Sequence, residues 1–319
     1  MQLEPLQFIP ILKDRIWGGT KLKSLLNKNT TSTITGESWE ISTVQDNVSE
    51  VAFGKFKGKS LNELINLYPN EILGTRIHKI FGKQFPLLFK YLDAQQDLSI
   101  QVHPNDEMAK KYHNSFGKTE MWYVMQANQN SNLIVGFKEN SSSNECKKHL
   151  KNNTILSILD TKKVKKGDVF FLETGTIHAI GAGIVIAEIQ QTSDITYRVY
   201  DFDRIDANGN KRELHIDLAA EALNYNTVKS QINYATLENA TNTIVSCTYF
   251  TTNIIPLNGA ITCLSNLETF KVYMCTEGNF TIEYTTFTCN YSAGDTVLIP
   301  ASIPTFKLSG KATLLEIYI

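Results

Sequence analysis

Several signatures that would fix a function by themselves are missing from this 319-residue chain. The five cysteines, Cys146, Cys247, Cys263, Cys275 and Cys289, are odd in number and widely spaced, with no C-x-x-C pair. That excludes a zinc ribbon or dithiol redox motif and suits reduced thiols in a cytosolic protein. Net charge is almost absent: 31 basic residues against 32 acidic ones leave −1, so bulk electrostatics draw the chain to neither nucleic acid nor an anionic membrane. No apolar run is long enough to span a bilayer, and the N-terminus lacks a basic stretch followed by an apolar core, so the expected location is the cytoplasm. No glycine-rich phosphate or dinucleotide loop occurs; any phosphate must be held by scattered Arg, Lys and Ser side chains.

What the chain does have is strand signal. The runs at 98–103, 121–125, 169–172, 184–186 and 196–200 are short, rich in β-branched and aromatic residues, and separated by turn residues, the pattern of a sandwich or barrel. Helices are expected as interruptions. Ser60 with Glu63 and Ser142 with Glu145 read as capping boxes, and segments 105–112 and 212–223 are further candidates. A weak internal repeat aligns the segment from Gly167 to His178 with that from Gly294 to Thr305 without a gap, each behind an aromatic strand. The expected architecture is therefore mainly β, with two barrels, the first (residues 1–230) carrying helical insertions and the chemistry, the second (231–319) degenerate because Thr305 stands where the first has His178.

Alternation in the segment Leu98-Ser-Ile-Gln-Val-His103 sends Gln101 and His103 to one face of a strand, and the same period puts Lys118 together with Glu120. His178 follows a glycine-containing turn in an apolar context. Singly, each residue has an ordinary reading, as a solvated face, a surface ion pair or a buried structural histidine. Together, one Gln, two His and one Glu from three strands can converge on a divalent cation, with Zn²⁺ suited best and Mn²⁺, Co²⁺ or Fe²⁺ tolerated. Glu188 and Gln190 share a face with Ile184 and Ile186, where a charge needs a partner. Arg198 is near enough to pair with Glu188 or a substrate anion, although an Asp–Arg bridge through Asp194, Asp201 or Asp203 is equally available. His78, His113, His149 and His215 read as solvated.

The ordered set resembles the type I mannose-6-phosphate isomerases. It comprises Phe85-Pro-Leu-Leu-Phe-Lys-Tyr-Leu-Asp93 leading into 98–104, then Gly117-Lys-Thr-Glu120, then Gly175-Thr-Ile-His-Ala179 with Glu188 and Ser193-Asp-Ile-Thr-Tyr-Arg198. Arg15-Ile-Trp-Gly-Gly19 and Gly36-Glu-Ser-Trp-Glu-Ile-Ser42 look like the shorter bacterial members. The resemblance implies two cupin-type jelly rolls, the second metal-free, and one Zn²⁺ held by Gln101, His103, Glu120 and His178. It also implies interconversion of mannose 6-phosphate and fructose 6-phosphate by a monomer or homodimer acting on a small sugar phosphate. Arg198 matches the family's active-site arginine, Lys118 and Glu188 match other active-site residues, and Ser99 and Lys90 match positions associated with the substrate phosphate. Either Lys118 or Glu188 can serve as base: the lysine if its pKa is depressed by neighbouring positive charge, the glutamate if its own is raised by burial. The rival readings are another metal-dependent cupin enzyme, such as an oxygenase or epimerase, and a non-catalytic sugar-binding cupin.

Overall fold

The β-branched and aromatic runs form strands in the computed structural model, which describes residues 3–205 and 209–319. A seven-stranded antiparallel sheet lies at the centre, in the order Gln231–Ile232, Val169–Leu172, Glu120–Ala127, Ile184–Gln191, Leu87–Ala94, Thr35–Ile41, Ile11–Gly19. A five-stranded sheet covers one of its faces, in the order Leu159–Lys163, Asn132–Phe137, His178–Ile180, Ile100–Val102, Tyr197–Tyr200. Against the other face pack three helices, Leu61–Leu67, Pro69–Leu73 and Thr75–Phe81, and a third sheet built on three 14-residue strands, Thr251–Leu264, Lys271–Tyr284 and Thr305–Tyr318. The chain is thus mainly β with helical additions, as expected. Its sheets pack face to face and do not close into barrels, a coarser arrangement than two complete jelly rolls. The third sheet takes its edge strand, Leu6–Gln7, from the N-terminus.

With both faces covered, the two middle strands of the central sheet, Leu87–Ala94 and Ile184–Gln191, are buried along their whole length. Odd-numbered residues such as Phe89, Tyr91, Val185 and Ala187 enter the core shared with the helices and the third sheet, and even-numbered ones face the five-stranded sheet. On that second face each strand changes character: Leu92 and Ala94 give way to Lys90, Trp122 and Val124 to Glu120, and Ile184 and Ile186 to Glu188 and Gln190. The register pairs Glu188 with Lys90 and Gln190 with Glu120, so the polar ends align at one end of the sandwich. The alternation in 98–103 is realised as well. Ile100 and Val102 point outward beneath helices Asp106–His113 and Ile216–Ala222, which turns Ser99, Gln101 and His103 inward.

Ser60 and Glu63 form the full reciprocal capping box. Ser142 caps Ser143–Lys151, but Glu145 turns its carboxylate to the Ser141 hydroxyl, so only half of that box forms. The helix expected over 212–223 is confined to Ile216–Ala222.

The internal repeat is structural. Gly167 N–H donates to Val124 O and Val124 N–H to Asp168 O; Gly294 N–H donates to Cys275 O and Cys275 N–H to Asp295 O. Both glycines have φ near +90°, a conformation that glycine adopts without strain.

Candidate active site

Four of the expected residues meet at the polar end of the sandwich. Glu120 opens its strand; its Oε2 lies 3.5 Å from His103 Nε2 and its Oε1 3.6 Å from His178 Nε2. Gln101 is the register partner of His178, and its amide lies 3.3 Å from His178 Nε2. Each imidazole is oriented by a backbone carbonyl: His103 Nδ1 donates to Ile195 O and His178 Nδ1 to Thr176 O, both at 2.8 Å. Both Nε2 atoms then keep lone pairs that face the carboxylate, the tautomer a metal ligand requires. One ligand atom each from His103, Glu120 and His178 fits within 4.8 Å, and Glu120 Oε1 is buried without a hydrogen-bond donor. Two neutral imidazoles, a buried carboxylate and an adjacent amide suit a divalent cation, so the residues present fit the metal that the sequence implies.

Lys118 belongs to the same cluster. It lies in the loop before the strand, with Nζ 2.6 Å from Glu120 Oε2 and 3.0 Å from His103 Nε2, and it is buried, so it is not the surface ion pair that Lys–Glu neighbours usually form. Burial lowers the histidine pKa values, His103 well below its usual range and His178 to about 4, with Lys118 adding to both shifts. Burial also opposes the Lys118 charge, but Glu120 and Glu188 outweigh it and its pKa is raised. Glu188 shifts the other way: desolvation is overcome by the Lys90 and Lys118 charges and by hydrogen bonds from Lys90 and Trp122, which hold it below its usual range. Neither shift is the one that would make either residue a base at neutral pH. Glu120 itself is held up by burial.

Arg198 does not pair with Glu188. The Glu188 carboxylate takes Lys90 Nζ at 3.0 Å and Trp122 Nε1 at 2.9 Å, and Lys90 also donates to Gln190 Oε1 at 2.7 Å. Nor does Arg198 form the alternative Asp–Arg bridge: Asp201 binds Arg204 and Arg212, and Asp203 binds Lys211. Arg198 is the register partner of Gln101, beside the cluster; Nη1 donates to Glu213 O and the buried Nε has no acceptor. His215 is half-buried, its Nδ1 accepting the Arg198 N–H, so it is not solvated as expected, and His113 bonds the Tyr197 hydroxyl.

These residues open onto a cavity of about 520 Å³ lined by Lys90, Ser99, Gln101, Lys118, Glu188 and Arg198. Sequence reasoning gave no role to the far wall, where Lys13, Arg15, Glu37 and Trp39 come from the two outermost strands of the central sheet. Glu37 accepts Arg15 Nε at 2.8 Å and Trp39 Nε1 at 2.6 Å. The signal was present in the segments 15–19 and 36–42, noted as resemblances without a function.

Comparison with known proteins bears on the family. Residues 6–149 match the catalytic domain of phosphomannose isomerase type I, and residues 240–319 match the mannose-6-phosphate isomerase cupin domain. Mannose-6-phosphate isomerase ManA of Bacillus subtilis is 37% identical over 98% of both chains. The chain belongs to the type I mannose-6-phosphate isomerase family. Another relative, the mannose-6-phosphate isomerase of Streptococcus mutans, is 35% identical over 96% of each chain. The crystal structure of the mannose 6-phosphate isomerase from B. subtilis superposes with a TM-score of 0.91 at 34% identity, covering 99% of this chain and 100% of that one. A phosphomannose isomerase variant from Salmonella typhimurium, 17% identical, shares the fold at a TM-score of 0.83.

Proposed function

We infer that this family member is an aldose–ketose isomerase that interconverts mannose 6-phosphate and fructose 6-phosphate by metal-assisted proton transfer through an enediol. The observation that carries the reading is the buried cluster of His103, Glu120 and His178 with Lys118 at its edge, opening into a cavity rich in cations. We assign Gln101, His103, Glu120 and His178 as ligands of one Zn²⁺. When bound, the ion supplies electrostatic stabilisation for negative charge developing on the substrate oxygens. The chain's own residues do the rest. Arg198, next to Gln101 and with an unengaged N–H, stabilises the enediolate. Lys118 or Glu188 moves the proton between C1 and C2, Lys118 standing closer to the ligand set. Ser99 and Lys90 hold substrate oxygens; Lys90 uses two hydrogens on Glu188 and Gln190 and keeps a third. We further propose that residues 1–230 form the catalytic jelly roll and 231–319 a degenerate one, and that the enzyme acts in the cytoplasm. Among the described residues no helix is long and apolar enough to cross a membrane.

The test is turnover of mannose 6-phosphate by the purified protein as isolated, after chelation and after Zn²⁺ is restored, with metal content measured on each sample. Loss on chelation and recovery with zinc is expected. Absence of turnover in samples holding about one metal per chain would move the assignment to another cupin chemistry or to a binding role.

A further inference from the structure

A hexose 6-phosphate carries its reacting carbons at one end and its phosphate at the other, so a site that processes C1 and C2 at the metal cluster must hold the dianion at a distance from it. Six cationic side chains line the cavity, and four are matched by a carboxylate: Arg15 by Glu37, Lys90 by Glu188, Lys118 by Glu120, Arg212 by Asp201. Among the described residues, Lys13 and Arg198 are the two lining cations with no carboxylate within ion-pair distance. Arg198 stands beside Gln101, at the reacting end. Lys13 is on the outermost strand of the central sheet, four strands from Glu120.

Its ammonium is positioned rather than loose. Nζ donates to Asn47 Oδ1 at 2.5 Å and lies 4.3 Å above the Trp39 ring, against which Lys90 Nζ also rests at 4.9 Å. One hydrogen bond and a ring face leave Lys13 with hydrogens to donate and a charge that no anion neutralises. The carboxylates near it are Glu37, occupied by Arg15 and Trp39; Asp14, which accepts the Thr35 hydroxyl; and Asp194, which is exposed.

We propose that Lys13 anchors the substrate phosphate, with Asn47 and Trp39 fixing its ammonium and the third hydrogen of Lys90 completing the contact from the sugar side. This rests on the isomerase reading for the identity of the ligand, and it makes Lys13 the binding group that distinguishes a phosphorylated sugar from a free one.

Calorimetric titration of inorganic phosphate into the metal-loaded protein, together with mannose 6-phosphate kinetics, tests it on Lys13→Met, Lys13→Arg and Lys57→Met, the last removing the same charge from an exposed turn. Loss of a charge-assisted contact should weaken phosphate binding by about tenfold or more in Lys13→Met, with a matching rise in KM. Lys13→Arg should stay within about threefold of wild type, because it keeps the charge. Wild-type behaviour in Lys13→Met, or equal weakening in Lys57→Met, would overturn the assignment. If the wild-type protein turns over no mannose 6-phosphate, the isomerase reading fails while the phosphate titration still decides the role of Lys13. If Lys13→Met unfolds, normal binding by Lys13→Arg and weakened binding by Asn47→Ala support the anchor, and normal binding by Asn47→Ala counts against it.

Discussion

Lys118 touches both Glu120 and His103, so its charge and its proton serve different ends. Without metal its ammonium is the counter-ion of Glu120, which is why its pKa is raised. With Glu120 committed to a cation, as proposed, Lys118 would lose that support and gain a positive neighbour, and both changes would lower its pKa toward the range a base needs. Lys118→Met should therefore cut kcat by about 10²–10⁴-fold with metal content retained; near-wild-type turnover would remove the lysine from the proton-transfer step. A second prediction concerns His178. Its folded pKa of about 4 lies below the ordinary 6.5, so between those values the unfolded chain binds the extra proton, and stability must fall as pH drops through that window. Glu120, held above its ordinary value, contributes with the opposite sign, so the histidine is isolated by difference. In chelator, the loss of Tm between pH 6.5 and 4 should be smaller in His178→Gln than in wild type. At this scale the sequence was informative where side chains act in cis along a strand. Period two brought Gln101 to His103 and Lys118 to Glu120. It could not show that Glu188 would take Lys90 and Trp122 instead of Arg198, because that choice depends on the register of three strands distant in sequence.

At the scale of elements, local chemistry was readable and tertiary closure was not. The Ser60–Glu63 box sets the start of its helix; Ser60→Ala should cost about 1 kcal/mol in denaturant unfolding, with no change in kcat. The short helices Pro69–Leu73 and Thr75–Phe81 carried no comparable signal, and their position depends on Gly74, with φ +91°, packed against the backbone of Glu268 and Thr269. A Cβ there would come within 2.3 Å of the Glu268 carbonyl, which backbone cannot yield. Gly74→Ala should lower stability by about 2 kcal/mol or more through strain and lost docking of this helix pair, as judged from the denaturation midpoint. The central strands explain why the fold class was legible. A strand buried on both faces reads as a continuous apolar run in which Lys90 and Glu188 stand out facing the site, whereas Asp93, on the opposite face, accepts the Lys21 N–H.

At the scale of the molecule, the N-terminal and C-terminal parts are joined by buried polar bonds as well as by apolar packing. Lys28 Nζ contacts Glu40 Oε1 at 2.7 Å and Gly294 O at 2.6 Å, and the Tyr91 hydroxyl reaches Cys275 O at 3.2 Å. Lys28→Met strands the Glu40 carboxylate, which burial already pushes toward protonation, and should destabilise by about 3–5 kcal/mol. Adding Glu40→Gln to it should recover part of that loss in the same thermal melt.

The structural repeat extends to the polar centre of the third sheet. The shared register sets Lys271 where the first copy has Glu120, Tyr273 where it has Trp122, Glu316 where it has Glu188 and Asn253 where it has Lys90. The bonds follow: the Tyr273 hydroxyl donates to Glu316 at 2.6 Å, Asn253 Nδ2 at 2.8 Å and Lys271 Nζ at 2.7 Å. The difference lies in the origin of the positive charge. At the Glu120 position the N-terminal centre has a carboxylate, proposed to hold a metal ion from solution, whereas the C-terminal centre has Lys271, whose ammonium is covalently part of the frame it neutralises. Removing metal is therefore expected to change the first centre and to leave the second as complete as when the chain first folded.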